Sequence, residues 1–318
     1  MTVTQDTMRA LVFTAPGAME LQDVARPVVP DGWLPIAVRA SGICGSELHG
    51  FRSVGFRQPP LVMGHEFAGE TPDGRRVVVN PLLSCGACDL CRRGEPELCR
   101  QRQLLGVHLA GGFAECVVVP EASVHEIPDD MSWETAALIE PLANAVHAWR
   151  QVDQSGVERV AVIGAGAIGL VTLLVAGHER LGEVTVIDRA ASRLDVAARL
   201  GASRCAADLD GEYDVVVDAV GSAQTRTSAV EHVRPGGTSV WIGLAEAGAG
   251  FDGNGLVRGE KRVVGSFAYS PQDFSAAVAL ASSLDLGWAT AIAMEDSQQV
   301  FMQLAGGAPD PVKAVIRL

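Results

Sequence analysis

Aromatic residues make up only 5% of this 318-residue chain, and charged residues only 20%. Neither shortage empties the core. Hydrophobic residues account for 48% of the sequence, enough apolar surface for about two domains at this length. Every apolar run is broken by Gly, Pro or a charge before it is long enough to cross a bilayer, so no membrane span is expected. Positive charge is also scarce, with 25 Lys and Arg against 38 Asp and Glu, a formal net charge of -13. Its Arg-Arg pairs, Arg75-Arg76 and Arg92-Arg93, are too short to attract nucleic acid or an anionic membrane. The first residues, Met1 to Asp6, lack the basic start and apolar run of a secretory signal. That predicts a cytoplasmic, reducing setting in which thiols stay unpaired.

What is present begins with cysteine. Four of the seven cysteines, Cys85, Cys88, Cys91 and Cys99, stand in the pattern C-x2-C-x2-C-x7-C. Close spacing, with Gly86 and Gly94 in the short connections, lets four thiolates surround one tetrahedral zinc ion. Such a site keeps no open position and reads as a structural clamp. Cys116 and Cys205 lie in apolar or alanine-rich surroundings and read as packed thiols.

The first part of the chain alternates apolar runs, Met8–Phe13, Trp33–Ala40, Arg76–Val79 and Gly112–Val119, with Pro and Gly turns, which favours a β-rich lobe. Ser132 reads as an N-cap, and Ala145–Gln151 as helix. From Arg159 the texture becomes strand, glycine turn, helix, strand. Val160–Ile163, Val184–Ile187, Tyr213–Asp218, Ser239–Ile242 and Val263–Ala268 read as buried strands, and Leu170–Leu181, Ser192–Leu200, Gln224–Val233 and Phe274–Leu284 as helices. Repeated strand-helix alternation calls for a parallel sheet covered on both faces. The last thirty or so residues, ending in Ala314–Leu318, change rhythm and are expected to rejoin the first lobe.

Gly164-Ala-Gly166-Ala167-Ile168-Gly169 fits G-x-G-x-x-G after an apolar strand and before a helix, and Asp188 ends the next strand. In that context the glycines allow the tight turn, the approach of backbone to a pyrophosphate and close helix packing. A carboxylate at Asp188 suits the ribose hydroxyls and repels a 2'-phosphate, which favours NAD. Arg189 and Arg193 could offset that repulsion, leaving NADP as the alternative.

Ahead of the cysteine cluster, Cys44 in Gly42-Ile-Cys44-Gly-Ser46-Glu-Leu-His49 and His65-Glu66 after Gly64 supply a thiolate, an imidazole and a carboxylate. Singly, His65 could be a core histidine and Cys44 a small buried residue. Together with a nucleotide fold they suggest a zinc site with three protein ligands and one open position.

At this point the chain resembles the zinc-containing medium-chain alcohol dehydrogenase family, especially its polyol, sorbitol and threonine dehydrogenase branches. The resemblance rests on the Gly42–His49 motif, Gly64-His65-Glu66, the four-cysteine lobe, Glu140-Pro-Leu-Ala-Asn-Ala-Val-His147, the glycine fingerprint and Val263–Phe267, in that order. It implies an α/β protein: a GroES-like β-barrel catalytic domain (residues 1–145 and 286–318, zinc lobe 85–99) and a Rossmann doubly wound domain (146–285). It further implies two zinc ions per chain, Cys44 and His65 as catalytic ligands with Glu66 or Glu140 as the third, Ser46 receiving the substrate proton and His49 passing it to solvent. A homodimer or homotetramer is implied by the resemblance alone.

Two places depart from the family pattern. Glu47 stands where Asp is usual, and the segment Glu70–Arg76 is shorter than the usual hairpin, so the barrel should be trimmed on one edge. Arg52 and Arg57 are candidates for an anionic group on the substrate, or else solvated loop arginines. The leading expectation is a dehydrogenase for a secondary alcohol or ketone of polyol, sugar-like or anionic hydroxy type. Its alternatives are an aldehyde or primary-alcohol enzyme of the same family, and a non-catalytic nucleotide-sensing scaffold. The intact Cys44, Ser46, His65 and Glu66 set argues against the scaffold and against a zinc-free quinone reductase.

Overall fold

A computed structural model describes residues 7–55 and 57–318. The reading of the first six residues therefore lies outside the described part. The chain divides into two compact units. One comprises the residues up to Glu140 with Ser270–Ser282 and Leu286–Leu318; the other comprises Pro141–Tyr269 with Ser283–Asp285. The helix near Phe274, which the sequence pattern placed with the nucleotide-binding region, thus groups with the first unit. Among the described residues no helix is long and apolar enough to cross a membrane.

The first unit is built mainly from antiparallel strands; Thr290–Ala293 pairs with Ala314–Arg317 in parallel. Thr7–Ala15 pairs with Ala18–Ala25 around the left-handed Gly17, and alternation along Thr7–Ala15 sends Leu11 and Phe13 into one cluster and Ala10 and Val12 into another. The long strand Trp33–Gly42 pairs with Glu66–Glu70, with Cys116–Pro120 and with the C-terminal strand Ala314–Arg317. Its apolar side chains Ile36 and Val38 pack with Phe67, Val77 and Val117, each burial contributing roughly 1.5–3 kcal/mol. The expected strand at Gly112 begins only at Cys116. Gly112 donates instead to the Gly64 carbonyl at 2.8 Å, and a Cβ on it would collide with the Phe67 ring. The shortened segment after Glu70 closes as a tight hairpin: Glu70 pairs with Arg76, and Thr71 donates to the Arg75 carbonyl at 3.0 Å.

The second unit carries six parallel strands in the spatial order Arg204–Ala206, Glu183–Ile187, Arg159–Ile163, Tyr213–Asp218, Val233–Trp241, Arg262–Gly265. In chain order that is 3-2-1-4-5-6, the doubly wound arrangement whose ligand crevice lies where the order reverses, beside the first strand. The helix after that strand spans Ala167–His178, three residues earlier at each end than its apolar run suggested. It starts early because its first N–H groups form the glycine turn, and it stops before Arg180, which adopts φ 58. Leu170 through Ala176 are all buried, as expected of a helix apolar on every side.

Candidate active site

Cys44 sits at the N-cap of the short helix Gly45–Gly50, in extended backbone. Glu47, three residues on, turns back and accepts the Cys44 N–H at 3.0 Å through Oε2. Its other oxygen accepts the Gly64 N–H and meets His65 Nδ1, both at 2.9 Å. One fully buried carboxylate therefore fixes both Cys44 and His65. Burial would push its pKa up, but the His65 charge, the bond to His65 and the nearby Arg57 hold it below the usual carboxylate range. Likewise burial depresses the His65 imidazole, and Glu47 and Cys44 more than reverse this, keeping it well above its ordinary value. Gly64 has φ +97, and a Cβ there would strike Phe113, so only glycine brings His65 in at this angle.

The ligand atoms of Cys44, His65 and Glu66 all lie within 4.8 Å of one another. His65 Nδ1 is taken by Glu47, and the Cys44 side chain is close enough to stabilise the imidazolium. A thiolate, an imidazole with an oriented tautomer and a carboxylate in one buried cluster suit an open zinc site. Glu140 is buried at the start of the helix Ile139–Arg150 but is not among the converging ligand atoms. Sequence reading missed Lys313. Its ammonium is 2% exposed, pairs with Glu66 Oε2 and donates to the Ile43 carbonyl at 3.0 Å. Burial would lower its pKa, but the Glu66 and Cys44 charges keep it raised. A single lysine just ahead of the apolar Ala314–Ile316 was the available signal.

Ser46 is exposed, and its hydroxyl donates to Cys44 Sγ at 3.4 Å. His49 is exposed in the last turn of the same helix and shares no hydrogen bond with Ser46. Arg52 reaches the Ala305 carbonyl at 2.5 Å, closing a helix end. Arg57 is not a solvated loop arginine: it is only 8% exposed and donates to the Ser46 carbonyl at 3.1 Å and to Ser46 Oγ at 3.3 Å.

The thiols of Cys85, Cys88, Cys91 and Cys99 form their own cluster. Neighbouring sulfurs are 3.5–3.9 Å apart, against about 3.8 Å for the edge of a tetrahedron with 2.3 Å zinc–sulfur bonds. The donor set fits the ion. Backbone N–H from Cys91 pulls the Cys88 thiol down to about 6, whereas burial and the neighbouring thiol of Cys88 push Cys91 up to about 11. Without a cation Cys88 and Cys91 do not ionise together.

In the second unit, Gly164 has φ +96 and donates to the Ile187 carbonyl at 2.7 Å. A Cβ on Gly169 would lie 1.7 Å from the Gly164 oxygen, so the helix packs against its own turn. Gly166 is the helix N-cap and nothing lies within 4 Å of where its Cβ would be, leaving the backbone of Gly166, Ala167 and Ile168 approachable. A cavity of about 600 Å³ is lined by Gly164, Asp188, Arg189, Arg193, Asp208 and Glu246, among others. Asp188 accepts the Ala165 N–H at 2.8 Å and the Ala190 N–H at 2.9 Å on separate oxygens, so each oxygen keeps a free lone pair. Arg193 stands 4.0 Å from Asp188, and Arg189 donates to Gln224 at 3.0 Å. This volume and lining suit the adenosine half of a dinucleotide.

Comparison with known proteins agrees with this geometry. Residues 30–129 match the alcohol dehydrogenase GroES-like domain, and residues 167–283 match the zinc-binding dehydrogenase domain. L-threonine 3-dehydrogenase of Rhizobium etli is 34% identical over 79% of this chain and 80% of its own length. The chain belongs to the zinc-binding medium-chain dehydrogenases. Within that family it falls in the polyol and threonine dehydrogenase branch: L-galactonate-5-dehydrogenase of Escherichia coli is 31% identical over 85% of this chain and 86% of its own. A zinc-binding dehydrogenase of Sinorhizobium meliloti, solved bound to NADP, superposes with a TM-score of 0.91 at 27% identity, covering 99% of this chain and all of the other. As a zinc-binding dehydrogenase of this branch, the protein is an oxidoreductase that moves hydride between a nicotinamide cofactor and a secondary alcohol or its ketone. The aldehyde-directed and non-catalytic alternatives lose their support.

Proposed function

We propose that this dehydrogenase binds two zinc ions, prefers NAD, and oxidises the secondary hydroxyl of a polyol or hydroxy acid. The convergence of Cys44, His65 and Glu66 beside the Ser46 hydroxyl carries this reading. Zinc held there supplies Lewis acidity, which makes a hydroxyl proton easier to lose. The chain's own residues do the rest. Glu47 orients His65 and Cys44, Lys313 braces Glu66, and Ser46 Oγ takes the substrate proton, with exposed His49 as the route to solvent. Glu66 is the third ligand in this scheme, and Glu140 a buried residue of the adjoining helix. The N–H groups of Ala167 and Ile168 hold the pyrophosphate, while Asp188 receives the ribose hydroxyls with its unused lone pairs. Threonine and galactonate, named for two relatives, each pair a secondary alcohol with a carboxylate. This motivates the acid class. A reducing cytoplasm suits the free thiolates, and a homo-oligomer is in keeping with the family.

The test is a panel of neutral polyols, hydroxy acids and primary alcohols with NAD and NADP, followed by nicotinamide absorbance on protein whose zinc has been counted. Two zinc ions per chain and faster turnover of secondary alcohols with NAD are expected. Primary alcohols outpacing secondary ones, or NADP outpacing NAD, would overturn the corresponding part.

A further inference from the structure

Beside the Cys44 cluster, the proposed mechanism leaves the buried Arg57 unused. Arg57 is 8% exposed, yet among the described residues no carboxylate lies within salt-bridge distance of it. Its guanidinium meets a single residue, Ser46, at both the backbone oxygen and Oγ, while its Nε is buried without a partner. Room for it depends on Gly50, where a Cβ would stand 2.3 Å from Arg57 Nη1. The buried Glu47 carboxylate is near enough to feel the Arg57 charge, but the guanidinium's own hydrogen bonds all go to Ser46, so this placement ties the cation to Ser46.

We propose that Arg57 is a positioning residue for the dehydrogenase reaction, acting through Ser46. A serine hydroxyl has one proton and two lone pairs. Arg57 occupies one lone pair at 3.3 Å, which leaves the second for the substrate hydroxyl; as that proton arrives, the serine's own hydrogen, directed at Cys44 Sγ at 3.4 Å, turns away and leaves to solvent by way of His49. The same bonds hold Ser46 in one rotamer, and the fixed positive charge favours negative charge developing on the substrate oxygen. A neutral side chain at position 57 keeps none of the charge. A lysine keeps the charge but not the two-point grip on Ser46.

This inference rests on Ser46 serving as proton acceptor, and a double-mutant cycle tests it. Arg57→Gln is expected to lower kcat about 10- to 100-fold with little change in KM, the range seen when a residue orienting an active group is lost. Arg57→Lys should recover part of that loss. In a Ser46→Ala background, Arg57→Gln should cost less than about twofold more, because the residue it acts through is gone. A second readout needs no turnover. In protein loaded with Co(II), the thiolate charge-transfer band should shift alike in Arg57→Gln and Ser46→Ala, and stay in place in Arg52→Ala. If no alcohol is oxidised at all, the proposed function fails while this band comparison still judges Arg57. An unshifted band, fully additive losses in the cycle, or a defect confined to KM for carboxylate substrates would overturn the positioning role; the last would make Arg57 an anion contact instead.

Discussion

The two clusters of candidate metal ligands lie in the same unit of the molecule and are built in opposite ways. Cys85, Cys88, Cys91 and Cys99 come from one short lobe, held by backbone turns and by one another, and Cys85 is exposed. Cys44, His65 and Glu66 come from a helix N-cap and from the approach to a distant strand. They are fixed by Glu47 from beneath and by Lys313 from the far end of the chain. A closed site can be local because its only task is to satisfy a cation. An open site must resist collapse onto its own missing ligand, so its donors are braced by buried partners that are not themselves donors. The difference predicts that damage to the first cluster is read in stability and damage to the second in chemistry.

The sharpest test of that division is Cys44→Ala set against Cys99→Ser. Cys44→Ala should cut turnover by about a thousandfold or more with nucleotide binding intact, measured by kinetics and NADH fluorescence titration. Cys99→Ser should lower the thermal midpoint and the zinc content while leaving any folded molecules active. Equal effects of both on kcat would erase the distinction. Next in size, Lys313→Met leaves the buried Glu66 carboxylate alone and should cost about 3–5 kcal/mol of stability in metal-free protein, measured by denaturant unfolding. Added zinc should restore part of this if Glu66 is a ligand, and none if it is not. Glu47→Gln keeps one acceptor oxygen of two, and should weaken metal binding at the Cys44 cluster by about 10- to 100-fold without touching the four-cysteine lobe, followed by metal competition. The smallest expected effect lies in the second unit. Asp188→Asn removes a charge from the nucleotide cavity and should raise the NADP to NAD ratio of kcat/KM about tenfold; no change would point to Arg193 as the determinant.

Much of this was legible without coordinates. The parallel sheet followed from apolar strands alternating with helices, and the nucleotide turn from glycines whose absent Cβ atoms leave room for backbone, as the Gly169 contact shows. The cysteine spacing fixed the closed cluster because covalent proximity keeps those thiols together whatever else folds. Boundaries were less legible. Gly112 breaks the strand expected there through a contact with Phe67, 45 positions earlier in the chain, and no window of sequence contains both. The helix at Pro271–Ala281 was visible as a helix, but which unit it joins depends on contacts far along the chain.

The sequence by itself determined the candidate donors, the grouping of the four cysteines and the strand-helix alternation of the nucleotide-binding unit, because each depends on spacing along the backbone. Only the tertiary structure decided that Cys44, His65 and Glu66 lie together, that Glu47 is a three-bond brace, and that Lys313 and Arg57 are buried cations bonded to Glu66 and Ser46. Those are contacts between segments up to 247 positions apart. Electrostatic partnership falls off with distance through space and is blind to distance along the chain.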